Sequence, residues 1–129
     1  MSFEGILSDI KVLDFSTLLP GPLASLFLSE MGAEVIKVER LKFGDEMRKK
    51  APEIDGTNVS FAILNRGKKS IEIDLKNDLQ NEKLKKLIKE VDIVLEQFRP
   101  GVMKRLGLDY DSIKLINPKI IYVSITGYG

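Results

Sequence analysis

Basic side chains gather in a few short segments: Glu39-Arg40-Leu41-Lys42, Arg66-Gly67-Lys68-Lys69, and Gln97-Phe98-Arg99-Pro100. Guanidinium groups form forked hydrogen bonds to phosphate, and ammonium groups act on it as point charges. The chemistry on offer is therefore recognition of a phosphorylated, polyanionic small molecule. Catalytic groups are scarce by comparison. The sequence contains no histidine and no cysteine, which excludes Ser-His-Asp catalysis, thiolate nucleophiles and most zinc chemistry within this chain. No metal site is expected. The carboxylates Asp14, Asp45, Glu72, Asp74, Asp92 and Glu96 stand singly, with no pair spaced for acid–base work, and are read as surface or capping groups. Ser70, Ser124 and Thr126 have no base available. No catalytic residue is assigned.

The elements that must position these cations alternate between strand and helix. Residues 11–15 read as a short strand, followed by a loop over 16–20. A helix follows over about 22–31, with Pro22 in its first turn and Gly32 just past its end. Leu23, Leu26, Phe27 and Met31 recur on one side as its apolar face. The β-branched run 35–38 is a second strand. Residues 41–58, broken by Gly44, Pro52 and Gly56, form a long surface connection with room for one helical turn. Ile71, Ile73 and Leu75 alternate with acidic residues as a half-exposed strand. An amphipathic helix spans about 78–90, and its Lys83, Lys85, Lys86 and Lys89 read as a solvated outer face. Residues 92–95 form a buried strand, 100–106 and 109–116 two short helices, and 120–124 a last buried strand. Apolar strands alternating with helices give an α/β fold: a Rossmann-like open, mostly parallel sheet with flanking helices.

In such a sheet the ligand lies beyond the carboxyl ends of the strands, which is where these cations fall. A dinucleotide is one candidate, and Glu39 sits where a ribose-binding acid belongs. The first strand-to-helix turn, however, carries Pro20-Gly21-Pro22 in place of the required glycine series. Composition sets the outer bounds. The 129 residues suit one domain, 43% are hydrophobic, and 20 basic against 19 acidic residues leave a net charge of +1. Neither nucleic acid nor an anionic membrane is attracted by so small an overall charge. No signal peptide or membrane-spanning run is apparent, so the expected setting is soluble and cytoplasmic.

Several motifs, taken in order, give these loops a family likeness. They are Pro20-Gly21-Pro22-Leu23-Ala24, the run from Leu28-Ser29-Glu30-Met31-Gly32-Ala33 to Val38-Glu39-Arg40, and Gly44-Asp45. Then come Leu64-Asn65-Arg66-Gly67-Lys68-Lys69-Ser70, Phe98-Arg99-Pro100-Gly101-Val102, Arg105-Leu106-Gly107, and Ser124-Ile125-Thr126-Gly127-Tyr128-Gly129. Together they resemble the amino-terminal part of the family III CoA-transferases, also called CaiB/BaiF-like, which include formyl-CoA transferase-like and α-methylacyl-CoA racemase-like enzymes. The likeness covers essentially the whole chain, read as a single CoA-binding domain over residues 1–129.

The resemblance implies an acyl-CoA substrate and no prosthetic group. Carried over by position, Arg40 contacts the nucleotide end of CoA. Leu64 and Lys68 lie along the adenosine and phosphate region. Gln97, Phe98, Arg99 and Arg105 flank the nucleotide and pantetheine path, and Gly127 and Tyr128 open a glycine-rich loop near the thioester. The family's catalytic Asp, or the His and Asp of its racemases, is expected beyond residue 129. The chain alone is accordingly expected to be inactive. Leu19 with Pro20-Gly21-Pro22 leans towards the racemase-like branch. Full-length members form interlocked homodimers. The alternative is a non-catalytic CoA- or nucleotide-binding module, or one half of a split enzyme.

Overall fold

The computed structural model describes residues 5–128. Along the chain run β1 (Lys11–Asp14), α1 (Pro20–Glu30), β2 (Glu34–Arg40), a 3-10 turn (Glu46–Lys49), a small hairpin of β3 (Glu53–Ile54) and β4 (Thr57–Asn58), and α2 (Val59–Asn65). There follow β5 (Lys69–Ile73), α3 (Asp78–Ile88), β6 (Ile93–Glu96), α4 (Val102–Arg105), α5 (Tyr110–Ile116) and β7 (Ile121–Ser124). Five strands form one sheet in the order β5-β2-β1-β6-β7, and each neighbouring pair is parallel. The expected α/β architecture is the one observed.

Strand pleating sorts the core into two faces. Leu13 and Val94 face α3 and α5, joining Val38, Leu84, Ile88, Met103, Leu108 and Ile113 in the larger cluster. Their neighbours Val12 and Val35 face the other way, packing with Ala33, Leu28, Leu7, Ile10 and Ile93. Central β1 and β6 are almost wholly buried, whereas edge strand β5 alternates between half-buried and exposed. The chain steps outwards from β1 through β2 to β5, then returns to the opposite side of β1 for β6 and β7. The order therefore reverses between β1 and β6, opening a crevice at their carboxyl ends.

Three expectations are corrected. Residues 59–65, given no element from sequence, form α2; the Asn58 side chain caps it by accepting from the Phe61 amide at 2.7 Å, and Phe61 and Leu64 are buried. β7 is not buried: it is the sheet edge, and Ile121 and Val123 are exposed. The inward face of α1 carries Gly21, Pro22, Ser25 and Leu26, while Phe27 and Met31 point outwards. Ser25 donates to the buried Asp14 carboxylate, and that bond rolls the helix away from its most apolar side.

Candidate functional site

A groove of about 720 Å³ runs along the carboxyl ends of β2 and β5. Arg40, Leu41, Lys42 and Phe43 form one wall; Ile73, Asp74, Leu75 and Lys76 form another; Phe98 and the α4 residues Val102, Arg105 and Leu106 close it. Four cations against one carboxylate surround an apolar lining. That combination suits an elongated ligand with apolar stretches and anionic groups. The Arg40 side chain is 63% exposed, and its ion pair with Glu46 is a long 3.4 Å, so its guanidinium is open to solvent at the groove wall. The Phe43 ring is exposed, with the Arg40 guanidinium 5.8 Å and the Lys49 ammonium 5.3 Å from its centroid. Gly101 adopts φ 86° just before α4. A side chain there would lie 3.1 Å from the Arg105 guanidinium, so glycine keeps that cation's space open.

A second cavity of about 390 Å³ adjoins it, with Phe98 as the shared wall. Arg99, Tyr110, Tyr122, Ser124 and Thr126 contribute to its lining, together with Glu96. The buried Glu96 carboxylate accepts from the Phe98 amide at 2.8 Å and from the Ser124 hydroxyl. Tyr122 donates to the Leu108 carbonyl at 3.1 Å. Burial, reinforced by the negative charges of Glu96 and Asp109, raises the Tyr122 phenol well above its ordinary pKa.

Across the sheet from the groove, on the side of α1 and α2, lies a set of buried charges. Lys37 pairs with Asp45 at 2.8 Å, both essentially without exposure. Asp14 accepts from the Ser16 amide at 2.8 Å and from the Ser16 and Ser25 hydroxyls. Glu39 accepts from the Asp45 amide at 2.9 Å, the Ser70 hydroxyl at 2.7 Å and the forked Arg48 guanidinium at 2.8 and 2.6 Å. Burial pushes the Glu39 carboxyl upwards, but these donors outweigh it and bring its pKa down to about 2. Arg48 in turn lies 3.8 Å over the Phe61 ring, which ties α2 to the groove wall. Asp14, Asp45 and Glu96, expected as surface or capping groups, are interior. The capping reading holds for Asp45, which caps the 3-10 turn by accepting from the Met47 amide, while the longer-range partners come from the folded sheet.

The residues assigned from sequence separate into groups. Arg40, Phe98 and Arg105 meet in the main groove. Arg99 lines the second cavity beside Phe98. Gln97 bridges the crevice between β1 and β6, donating to the Thr17 carbonyl at 2.7 Å and accepting from the Gly21 amide at 3.0 Å. Leu64 is buried in α2. Lys68 is a buried tie, bonding the Pro22 carbonyl at 2.8 Å and Asn65 at 3.0 Å, with Asp14 at 3.7 Å. Burial brings its pKa down to about 8, against the pull of Asp14 and with added repulsion from Lys37. Gly127 and Tyr128 are exposed beyond β7; Gly129, part of the same motif, lies outside the described residues. Leu75 and Lys76 were missed. They lie past the end of β5, which reaches this edge only by pairing with β2.

Fold and site together define an open parallel α/β domain with a cationic groove at its carboxyl edge. The CoA-transferase family III model matches residues 7–129, and the chain belongs to that family. It is 42% identical over 130 residues to a succinate–glutarate CoA-transferase of Agrobacterium fabrum, spanning 95% of this chain and 32% of that protein. A human succinyl-CoA:glutarate CoA-transferase is 42% identical across 95% of this chain and 28% of its own length. Among solved structures, a CaiB/BaiF family protein from Brucella suis superposes with TM-score 0.91 at 39% identity, covering 98% of this chain and 34% of the other. A hypothetical protein from Mycobacterium tuberculosis gives TM-score 0.90 at 41% identity, over 97% and 34%. The chain spans about a third of the length of these relatives. Among the described residues, no acidic cluster is arranged to hold a metal, and no helix is long and apolar enough to cross a membrane.

Proposed function

We propose that this chain forms the CoA-binding part of an acyl-CoA:carboxylate CoA-transferase, its groove taking the nucleotide end of CoA. The observation that carries the reading is the meeting of Arg40, Lys42, Lys76 and Arg105 around an apolar lining at the carboxyl edge. Guanidinium and ammonium groups there neutralise the phosphates. Phe43, Leu75 and Phe98 offer apolar surface to the base and the pantetheine arm. Gln97, Lys68 and Leu64 act from behind, fixing the loops and helices that shape the edge. Arg99, with Gly127 and Tyr128 beyond β7, flanks the continuation of the ligand past Phe98. The relatives are transferases by name, which supports transfer over the racemase-like branch that Leu19 suggested.

In a transferase of this kind a carboxylate attacks the donor thioester and a covalent intermediate hands CoA to the acceptor. The present residues supply binding energy remote from the reacting carbon, which holds the thioester in place. The attacking carboxylate and the homodimer belong to the whole protein. Calorimetric titration of this chain with CoA and with 3′-dephospho-CoA tests the groove. CoA binds, and Arg105→Ala weakens it by about tenfold, ~1.4 kcal/mol. Binding that is unchanged in Arg105→Ala and Arg40→Ala sinks the assignment.

A further inference from the structure

The Asp45 carboxylate reaches across from the groove wall into the loop after β1. Its Oδ1 accepts the Leu18 amide at 3.1 Å and the Met47 amide at 2.9 Å. Its Oδ2 lies 2.8 Å from Lys37 Nζ, and Lys37 donates to the Ser16 carbonyl at 2.8 Å. Gln97 holds the same loop from the β6 side through Thr17 and Gly21. Within this frame Leu18 adopts φ 63°, a left-handed conformation that a leucine keeps only when its surroundings fix it. The next residue, Leu19, is 53% exposed at the carboxyl end of β1. Residues 40–43, which wall the groove, run directly into Gly44-Asp45. Gly44 itself adopts φ 63°, and a Cβ there would meet Glu39 Oε2 at 2.8 Å.

Replacing a buried ion pair by apolar side chains is often neutral for the pair itself, but here it would strip the Leu18 and Met47 amides and the Ser16 carbonyl of their partners. What the carboxylate adds is specific: one oxygen accepts two amides from separate loops while the other holds a cation bound to a third point. We propose that Asp45 and Lys37 are positioning residues that lock the tip at residues 18 and 19 in register with the groove wall. β1 lies between β2, whose end walls the groove, and β6, which leads to Phe98. The exposed tip at the carboxyl end of β1 would therefore border the part of the ligand that leaves the groove towards its thioester. This rests on the reading of the groove as a CoA site.

The test uses the full-length protein carrying this chain. It compares Asp45→Ala, Asp45→Asn and Asp45→Ala/Leu18→Gly by amide exchange over residues 16–19, CoA affinity, and kcat and KM for a donor thioester. In Asp45→Ala, exchange at the Leu18 amide rises tenfold or more and kcat falls at least tenfold, while CoA affinity moves less than threefold. Asp45→Asn keeps the Oδ1 acceptor and holds Leu18 exchange within threefold of the parent. Glycine takes positive φ without steric cost, so Leu18→Gly recovers at least threefold of the lost kcat, a rescue that general loosening does not give. Where the unpaired Lys37 prevents Asp45→Ala from folding, Asp45→Leu/Lys37→Met removes the acceptor without stranding a charge, and the same responses are expected. Unchanged Leu18 exchange, or a double variant no better than the single one, overturns the proposal. A different result bears on the groove alone: CoA binding that survives Arg105→Ala while the loop responds as expected removes the groove assignment and leaves the positioning role standing.

Discussion

Glu39, at the end of β2, takes both prongs of the Arg48 guanidinium, with Nε at 2.8 Å and Nη2 at 2.6 Å. The carboxylate side chain is 3% exposed and the arginine 44%, so one half of the pair is interior and the other is wet. Through it the 3-10 turn, the end of β2 and, by way of the Phe61 ring, α2 become one unit behind the groove.

That pair makes stability depend on acid. The folded Glu39 pKa is about 2 against an ordinary 4.5, so the unfolded chain takes up the proton first as pH falls. The contribution is complete above about pH 4.5, declines below it, and is gone once pH passes through about 2. With the wet arginine side screened, roughly 1–2 kcal/mol is at stake. Urea unfolding of Glu39→Gln and its parent from pH 7 to pH 3 tests this: the two stabilities converge towards acid. A constant gap between them contradicts it.

A single amide spans the groove from beneath. Asn81 in α3 donates to the Leu75 carbonyl and the Leu106 carbonyl, each at 3.1 Å, and those residues belong to opposing walls. Asn81→Leu leaves both carbonyls without this donor, and a loss of about 1–3 kcal/mol is expected from such buried groups. Because the bonds also set the groove's width, CoA affinity should fall together with stability. A variant that loses stability and binds CoA as before separates the two roles and refutes the second.

The alternation of strands and helices was legible because parallel strands are apolar along their length; Arg40 and Phe98 were read from their places at strand ends, whereas Arg105, in α4, came only from the family likeness. What was not legible depends on sheet order. Leu75 and Lys76 reach the groove only because β5 pairs with β2 instead of following it at a distance along the chain. Asp14, Asp45 and Lys37 look like isolated charges in sequence, since a strand's local pattern cannot show that a loop will later close over its end. The α1 face was misjudged for a related reason: periodicity counts apolar side chains, whereas the buried Asp14 needed the Ser25 hydroxyl.

Lys68 provides a second pH signature, in the alkaline range. Burial holds its pKa at about 8, against 10.5 for an ordinary lysine. Between those values the unfolded chain binds more protons than the folded one, so this residue makes stability rise with pH across that window. The rise reflects relief from carrying a buried ammonium. Comparing denaturant midpoints of the parent and Lys68→Met from pH 7.5 to 10 isolates the effect: the parent gains on the variant as pH increases. Parallel curves contradict the assignment.

Phe43 separates binding from folding. Its ring is 59% exposed on the groove wall, so truncation to alanine removes little buried surface and should change stability by no more than about 0.5 kcal/mol. An exposed aromatic flanked by the Arg40 and Lys49 cations nevertheless offers a planar face beside positive charge, which suits an aromatic base carrying phosphates. In Phe43→Ala the CoA dissociation constant should rise about three- to tenfold, since stacking on an aromatic side chain contributes roughly 1 kcal/mol or more. Affinity for 4′-phosphopantetheine, which lacks the base, should stay within twofold. Raising the salt concentration should weaken CoA binding in both proteins to a similar degree, because the groove's cations are retained and are screened alike. Equal losses for CoA and 4′-phosphopantetheine would place the base elsewhere and reduce Phe43 to a wall of the groove.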